Sequence, residues 1–147
     1  MANNNNIVIK QNPYDDTAEY DYAFKPYIRG GAVSFDVDLS SVDCGCVAGV
    51  YAVAINPANG CGPEQNMGNY NPMCQTIDIM QANPYGFNTA AHPCSNGTCD
   101  AVSQCQYNMA VEGKALYGEN AYGPGGSMVD TDYSFNVKTE FLSTNSY

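Results

Sequence analysis

The chain has 147 residues, a formal net charge of -10 and five basic residues against fifteen acidic ones. That length suits one domain, and 44% hydrophobic residues suffice for a core, so wholesale disorder is excluded. No basic patch exists, which argues against nucleic acid and anionic membrane as partners and favours neutral or cationic ones; no apolar run reaches the length of a membrane span.

In chain order, the asparagines at positions 3 to 6 read as a frayed start to a single domain spanning 1–147. "IVIK" (7–10) begins a short strand, and "TAEYDYAFKPYIRGGAVSFDVDLS" alternates apolar and polar residues around a Gly30-Gly31 turn. Val33, Phe35, Val37 and Leu39 fall on one face and Ser34, Asp36 and Asp38 on the other, the period-two pattern of a half-buried strand. "VAGVYAVAI" (Val47 to Ile55) is a more continuous apolar run, suited to a central strand. Residues 56–73 form a Gly-, Pro- and Asn-rich loop of a length that is usually functional or cross-linked. Residues 83–113 read as a second irregular region, rich in cysteine. Alternation returns over 127–142, with Phe135, Val137, Thr139 and Phe141 set against Ser134, Asn136, Lys138 and Glu140. No stretch carries a capped 3.6-residue period, so the expected class is all-β and antiparallel, a sandwich.

Seven cysteines point to an oxidising compartment, and an odd number leaves at least one unpaired or bonded elsewhere. "MANNNNIVIK" has neither a charged n-region nor an apolar h-region, so the expectation is an extracellular protein whose signal is absent from this chain, with an intracellular protein as the alternative. "NGT" at Asn96 is a weak glycosylation signal. "CGC" (Cys44, Cys46) is too tight for a usual zinc site and His92 is the only histidine, so neither metal nor cofactor is expected.

The chemistry-bearing stretch is "CQTIDIMQAN", Cys74 to Asn83. Thr76 and Asp78 share a strand face, and Gln81 falls out of phase with them unless a β-bulge near Met80 restores it. Spacing of the form E-x-D-x-x-E serves retaining glycosidases with sandwich folds, whose two outer carboxylates stand about 5 Å apart as nucleophile and acid/base.

These residues resemble glycoside hydrolase family 7, the fungal-type cellobiohydrolases and endoglucanases. "CQTIDIMQAN" looks like that family's C-S-E-M-D-I-W-E-A-N; "FDVDLSSVDCG" looks like the strand leading to a conserved cysteine; "HPC" (His92 to Cys94) follows at the family's distance. "YGPGGSMVDTDYSFNVKTEF" and "DDTAEYDYAFK" match further motifs in order, so the resemblance covers roughly residues 14 to 142. It implies a jelly-roll, concanavalin-like sandwich, reduced relative to the family because roughly the first quarter and last third of the family's length have no counterpart here.

Carried over by position, Thr76 stands where the family has its nucleophilic glutamate and Gln81 where it has the acid/base. Asp78, which supports the nucleophile, is retained. His92 matches a histidine on the leaving-group side, Tyr51 a tyrosine contacting the nucleophile, and Met80 replaces a tryptophan. A threonine without an adjacent base is a poor glycosyl nucleophile, and glutamine neither gives nor takes a proton. The resemblance therefore implies a degenerate catalytic site at Thr76, Asp78, Gln81 and His92, in a pseudoenzyme. The family's tryptophan platforms are missing, since the chain has no tryptophan, and Val111 stands where the family has an arginine. Implied disulfides are Cys61 with Cys74 and Cys94 with Cys99. Cys44 (or Cys46) and Cys105 match cysteines whose family partners have no counterpart here, which leaves them to find others, each other among them.

Each residue also has a plainer reading. Asp78 would be a buried carboxylate hydrogen-bonded by Thr76 or backbone, and His92 would order the loop before "PC". Tyr70, Tyr85, Tyr107, Tyr117 and Tyr122 lie in Gly/Asn-rich stretches, where a sugar-stacking platform competes with ordinary packing. The expected ligand contacts are Tyr51, Asp78, Gln81, His92, Tyr85 and Tyr107. The expected function is non-catalytic binding of a polysaccharide, a β-glucan. One alternative is a self-assembling structural protein pairing through exposed sheet edges as a homo-oligomer or filament. Another is an enzyme of altered chemistry, a lyase-type or residual glycosidase activity using Asp78, His92 and a tyrosine.

Overall fold

A computed structural model describes residues 30–43, 45–54, 58, 60, 61, 74–92, 94, 95, 98, 99 and 105–142, with the backbone alone for 94, 95, 98, 99 and 105. The expected strands before residue 30, most of the 56–73 loop, Tyr70 and Cys44 lie outside the described residues.

Alternation has its expected consequence at both ends of the described chain. Strand β1 (Ala32–Val37) pairs antiparallel with β10 (Phe135–Glu140), placing Phe35 opposite Val137 and Val37 opposite Phe135. The intervening rows carry polar pairs, and Asn136 Nδ2 donates to Asp36 Oδ1 at 3.0 Å on the exposed side.

A second sheet runs in the order β2 (Ala48–Val53), β3 (Thr76–Asn83), β4 (Gly86–His92), β7 (Cys105–Asn108), antiparallel throughout. Its apolar face packs on the β1–β10 pair. Val37, Leu39 and Val137 from one layer meet Met80 and Ala82 from the other, with Phe35, Ala48, Val50, Phe87 and Phe135 around them. Among the described residues the result is an antiparallel sandwich with one core between two layers.

Three sequence expectations are corrected. Strand β2 stands at the edge of the described sheet, not at its centre. Its apolar run is continuous because Ala48 and Val50 feed the core while Tyr51 and Val53 line the other face. The described residues of 83–113 are not irregular: they hold β4, a two-strand ribbon of β5 (Cys94–Ser95) and β6 (Thr98–Cys99), β7 and a wide helical turn at Met109–Gly113, which leads into α1 (Lys114–Tyr117). "GFNTAAH" lacks β-branched alternation; β4 forms because the Asn83–Gly86 turn folds it back on β3, with Asn83 Oδ1 accepting from the Tyr85 N–H at 2.9 Å. Alternation over 127–142 likewise becomes two elements, β9 (Val129–Asp130) and β10, split by a turn.

The loop after α1 closes the end of the sandwich. Strand β8 (Tyr122–Gly123) runs parallel to β9, and Thr131 Oγ1 donates to Pro84 O at 2.9 Å while the Tyr122 hydroxyl donates to Asn83 O at 3.0 Å. The Tyr122 ring stands between Phe87 of β4 and Phe135 of β10, 6.1 Å from each. One side chain thus ties the loop, the β3–β4 turn and both layers together, and its burial pushes the phenol up to about 12.

Candidate functional site

The site is built on β3 and depends on a break in its register. Asp78 lies opposite Tyr51 while Met80 lies opposite Val50, so Ile79 is an extra residue against β2. The same extra residue appears against β4, where Asp78 faces Ala90 and Gln81 faces Asn88. This bulge turns Met80 and Ala82 into the core and returns Gln81 to the face of Thr76 and Asp78. It sits one residue before Met80, where the out-of-phase Gln81 required it.

Asp78 is the centre of the cluster. Its side chain is buried, and Oδ2 accepts from Gln81 Nε2 at 2.8 Å and lies 3.0 Å from His92 Nε2. Thr89 Oγ1 donates to the Asp78 carbonyl at 2.8 Å and fixes the backbone there. Tyr51 approaches from β2: burial first, then the Asp78 carboxylate, push its phenol up, while its hydrogen bond with Gln81 acts the other way. Tyr51, Asp78, Gln81 and His92 are therefore brought together on one face.

Thr76 is placed beside them but not joined to them. Its cross-strand neighbours are Val53 and His92, it is 3% exposed, and its hydroxyl has no hydrogen-bond partner. Of the partners the plainer reading offered Asp78, Thr76 or backbone, the Thr76 hydroxyl is not one, and the carboxylate meets Gln81 and His92.

Two expected contacts fall elsewhere. Tyr107 lies opposite Thr89, one residue out of the row Asp78–Ala90–Gln106, and so belongs to the reverse face of the sheet. Tyr85 is 69% exposed at the tip of the β3–β4 turn, at the opposite end of β4 from His92. Of the other tyrosines considered as platforms, Tyr117 is exposed on α1 and Tyr122 is committed to the packing described above. Met80, at the family's tryptophan position, is in the core, and Val111 is exposed on the helical turn.

Register shows site residues that motif reading missed. Gly49, Asn88, Gln106 and Asn108 share the Asp78 face. Strand parity could have found two of them, since Gly49 stands two residues from Tyr51 and Asn88 four from His92; Gln106 and Asn108 are placed by the β4–β7 pairing, opposite Ala90 and Asn88, which no spacing encodes. The four strands carry no lysine or arginine, so this face is neutral apart from Asp78 and His92. Among the described residues no group of three or more His, Cys, Asp or Glu side chains could hold a metal.

The cysteines divide. Cys61 and Cys74 are bonded to each other and buried, at the mouth of β3. Cys94 is register-paired with Cys99 across the β5–β6 ribbon. Cys46 is an exposed free thiol. The side chain of Cys105 lies outside the described residues.

No protein-family model matches the chain. A search of curated proteins finds endoglucanase EG-1 of Hypocrea jecorina, 27% identical over 143 residues, and its counterpart from Trichoderma longibrachiatum at 26%. Among solved structures, an endoglucanase I complexed with cellobiose superposes with a TM-score of 0.62 at 21% identity, over 80% of this chain and 39% of that one. A family 7 cellobiohydrolase from Daphnia pulex gives 0.59 at 20% identity, over 82% and 40%. The chain is glycoside hydrolase family 7-like. The aligned part makes up 80% of this chain and 30% of the length of the Hypocrea relative. Its antiparallel sandwich is the architecture of the family 7 structures it matches.

Proposed function

We propose that this family 7-like chain binds a neutral polysaccharide, a β-1,4-glucan, on the Asp78 face and does not hydrolyse it. The observation that carries this reading is the state of the one carboxylate that β3 places there. Asp78 is held by Gln81 and His92, and the positions two residues before and three after it hold a hydroxyl and an amide. Double displacement needs two carboxyl groups about 5 Å apart, and here there is one. What remains on the face, phenol, amides and imidazole, suits the donors and acceptors of sugar hydroxyls. Neighbouring structures bound to cellobiose and cellotetraose support the choice of glycan. An extracellular setting and a single domain accompany this reading.

The test is a hydrolysis assay on a fluorogenic cellobioside and on swollen cellulose, run with a cellulose pull-down and with a Thr76→Glu, Gln81→Glu double variant. The native protein should bind and not hydrolyse, and the double variant, once its melting shows it folded, should gain hydrolysis. Turnover by the native protein, or no retention on any β-glucan, would reject the proposal.

Self-association is a second reading, favoured by the exposed Cys46 thiol and by the outer edge of β2, unpaired among the described residues. A concentration-independent monomer in sedimentation equilibrium without reductant would remove it. The remaining alternative, lyase-type chemistry by Asp78, His92 and Tyr51, predicts unsaturated products from uronate polymers, visible in the ultraviolet.

A further inference from the structure

Gly49 and Tyr51 lie two apart on β2 and share the Asp78 face, Gly49 opposite Gln81 and Tyr51 opposite Asp78. A side chain at position 49 has no room: its first carbon would coincide with the outer edge of the Tyr51 ring, at Oη, Cζ and Cε2. The ring is therefore not standing off the sheet. It is folded back along the strand and occupies the space that a residue at 49 would fill. Gly49 has no positive φ to explain it; the reason for glycine here is close approach. Gln81, opposite Gly49, is the side chain that the Tyr51 hydroxyl meets at this end of the ring.

We infer that Gly49 and Tyr51 together form a preset stacking platform for one pyranose ring, with Gly49 as the positioning residue and the Tyr51 ring face as the contact. The occupant is a neutral β-linked hexose ring. Its axial C–H groups suit an aromatic face, and its hydroxyls would reach the amides of Gln81 and Asn88 in the same part of the sheet. An anionic ligand has no counter-ion to meet, because none of the four strands carries a lysine or arginine, and the one carboxylate that could meet a cation, Asp78, is already engaged by Gln81 and His92. In a chain without tryptophan this is the one phenylalanine or tyrosine ring that the four described strands place on the Asp78 face of the sheet. The inference rests on the glycan-binding reading and adds which ring does the stacking and what sets its pose.

The experiment is calorimetric titration of the native protein, Tyr51→Phe, Tyr51→Ala and Gly49→Ala with cellopentaose, beside ring-resolved NMR of the four proteins without ligand. Tyr51→Phe should bind within about twofold of native, since the face is kept. Tyr51→Ala and Gly49→Ala should each weaken Kd about tenfold, the size of one lost stacking contact. In the free proteins, Gly49→Ala should shift the Tyr51 ring resonances, identified by their absence in Tyr51→Phe. A loss in Tyr51→Phe equal to that in Tyr51→Ala would show that the hydroxyl matters and the face does not. Native-like binding by Gly49→Ala, or unmoved Tyr51 resonances in it, would overturn the positioning role. Failure of the native protein to bind cellopentaose would instead reject the glycan-binding reading itself, a result visible before any variant is compared.

Discussion

At the scale of single residues, the most informative atom is the hydroxyl of Thr76. It is buried and without a partner, beside a carboxylate whose bonds go elsewhere. An orphaned buried hydroxyl costs free energy that a methyl group of similar shape does not. Thr76→Val should accordingly raise the unfolding free energy by about 1 kcal/mol, read from urea titration at constant slope. A fall in stability would mean that the hydroxyl is satisfied. Tyr122 makes the second prediction at this scale. Burial raises its phenol from 10.0 to about 12, and the protonated hydroxyl donates to Asn83 O. The folded state therefore favours the neutral phenol. That contribution is complete below pH 10.0 and is lost as pH rises toward about 12. The urea midpoint should fall over this window in the native protein and fall less in Tyr122→Phe; parallel curves would refute the assignment. Residue identity told much of this in advance. Spacing put Gln81 out of phase with Asp78 and named the bulge near Met80 that would restore it, whereas the orphaning of Thr76 depends on side-chain directions that no spacing encodes.

At the scale of elements, what was legible was what repeats. Alternation in "AVSFDV" and "FNVKTE" located β1 and β10 because each has one wet and one dry face. Strand β4 was not legible: "GFNTAAH" has no such contrast, since its Ala90 and His92 line a polar cluster on one side and its Phe87 packs against the core on the other. The 83–113 region looked irregular for the same reason, because strands that serve a site break the pattern that identifies strands. The Cys61–Cys74 bond was legible only through family resemblance, as pairing cannot be deduced from a count of cysteines. It closes a loop with a sequence separation of 13 and holds the chain two residues before Thr76. Replacing both cysteines with alanine should lower the unfolding free energy by about 3 kcal/mol, the value expected for a loop of that size. A change below about 1 kcal/mol would show that the 61–74 loop is held by other contacts.

At the scale of the whole molecule, two charge distributions coexist. The chain as a whole carries -10, while β2, β3, β4 and β7 carry no lysine or arginine and present one carboxylate, already engaged, on the Asp78 face. Self-repulsion of the first kind is long-ranged and screened by salt; contacts between a neutral sugar and amides or an aromatic ring are not. Stability and binding should therefore respond differently to ionic strength. Raising sodium chloride from 0.05 to 0.5 M shortens the screening length from about 14 Å to about 4 Å, and the thermal midpoint should rise as the acidic side chains cease to repel one another. The Kd for cellopentaose should stay within about twofold over the same range, because no counter-ion is released when the ligand docks. The same samples serve both measurements, so a folding effect cannot pass for a binding effect. A Kd for this uncharged ligand that weakens about tenfold with salt while the midpoint rises would refute docking through amide and aromatic contacts alone, because salt would then be acting on the acidic chain in a way that reshapes the Asp78 face.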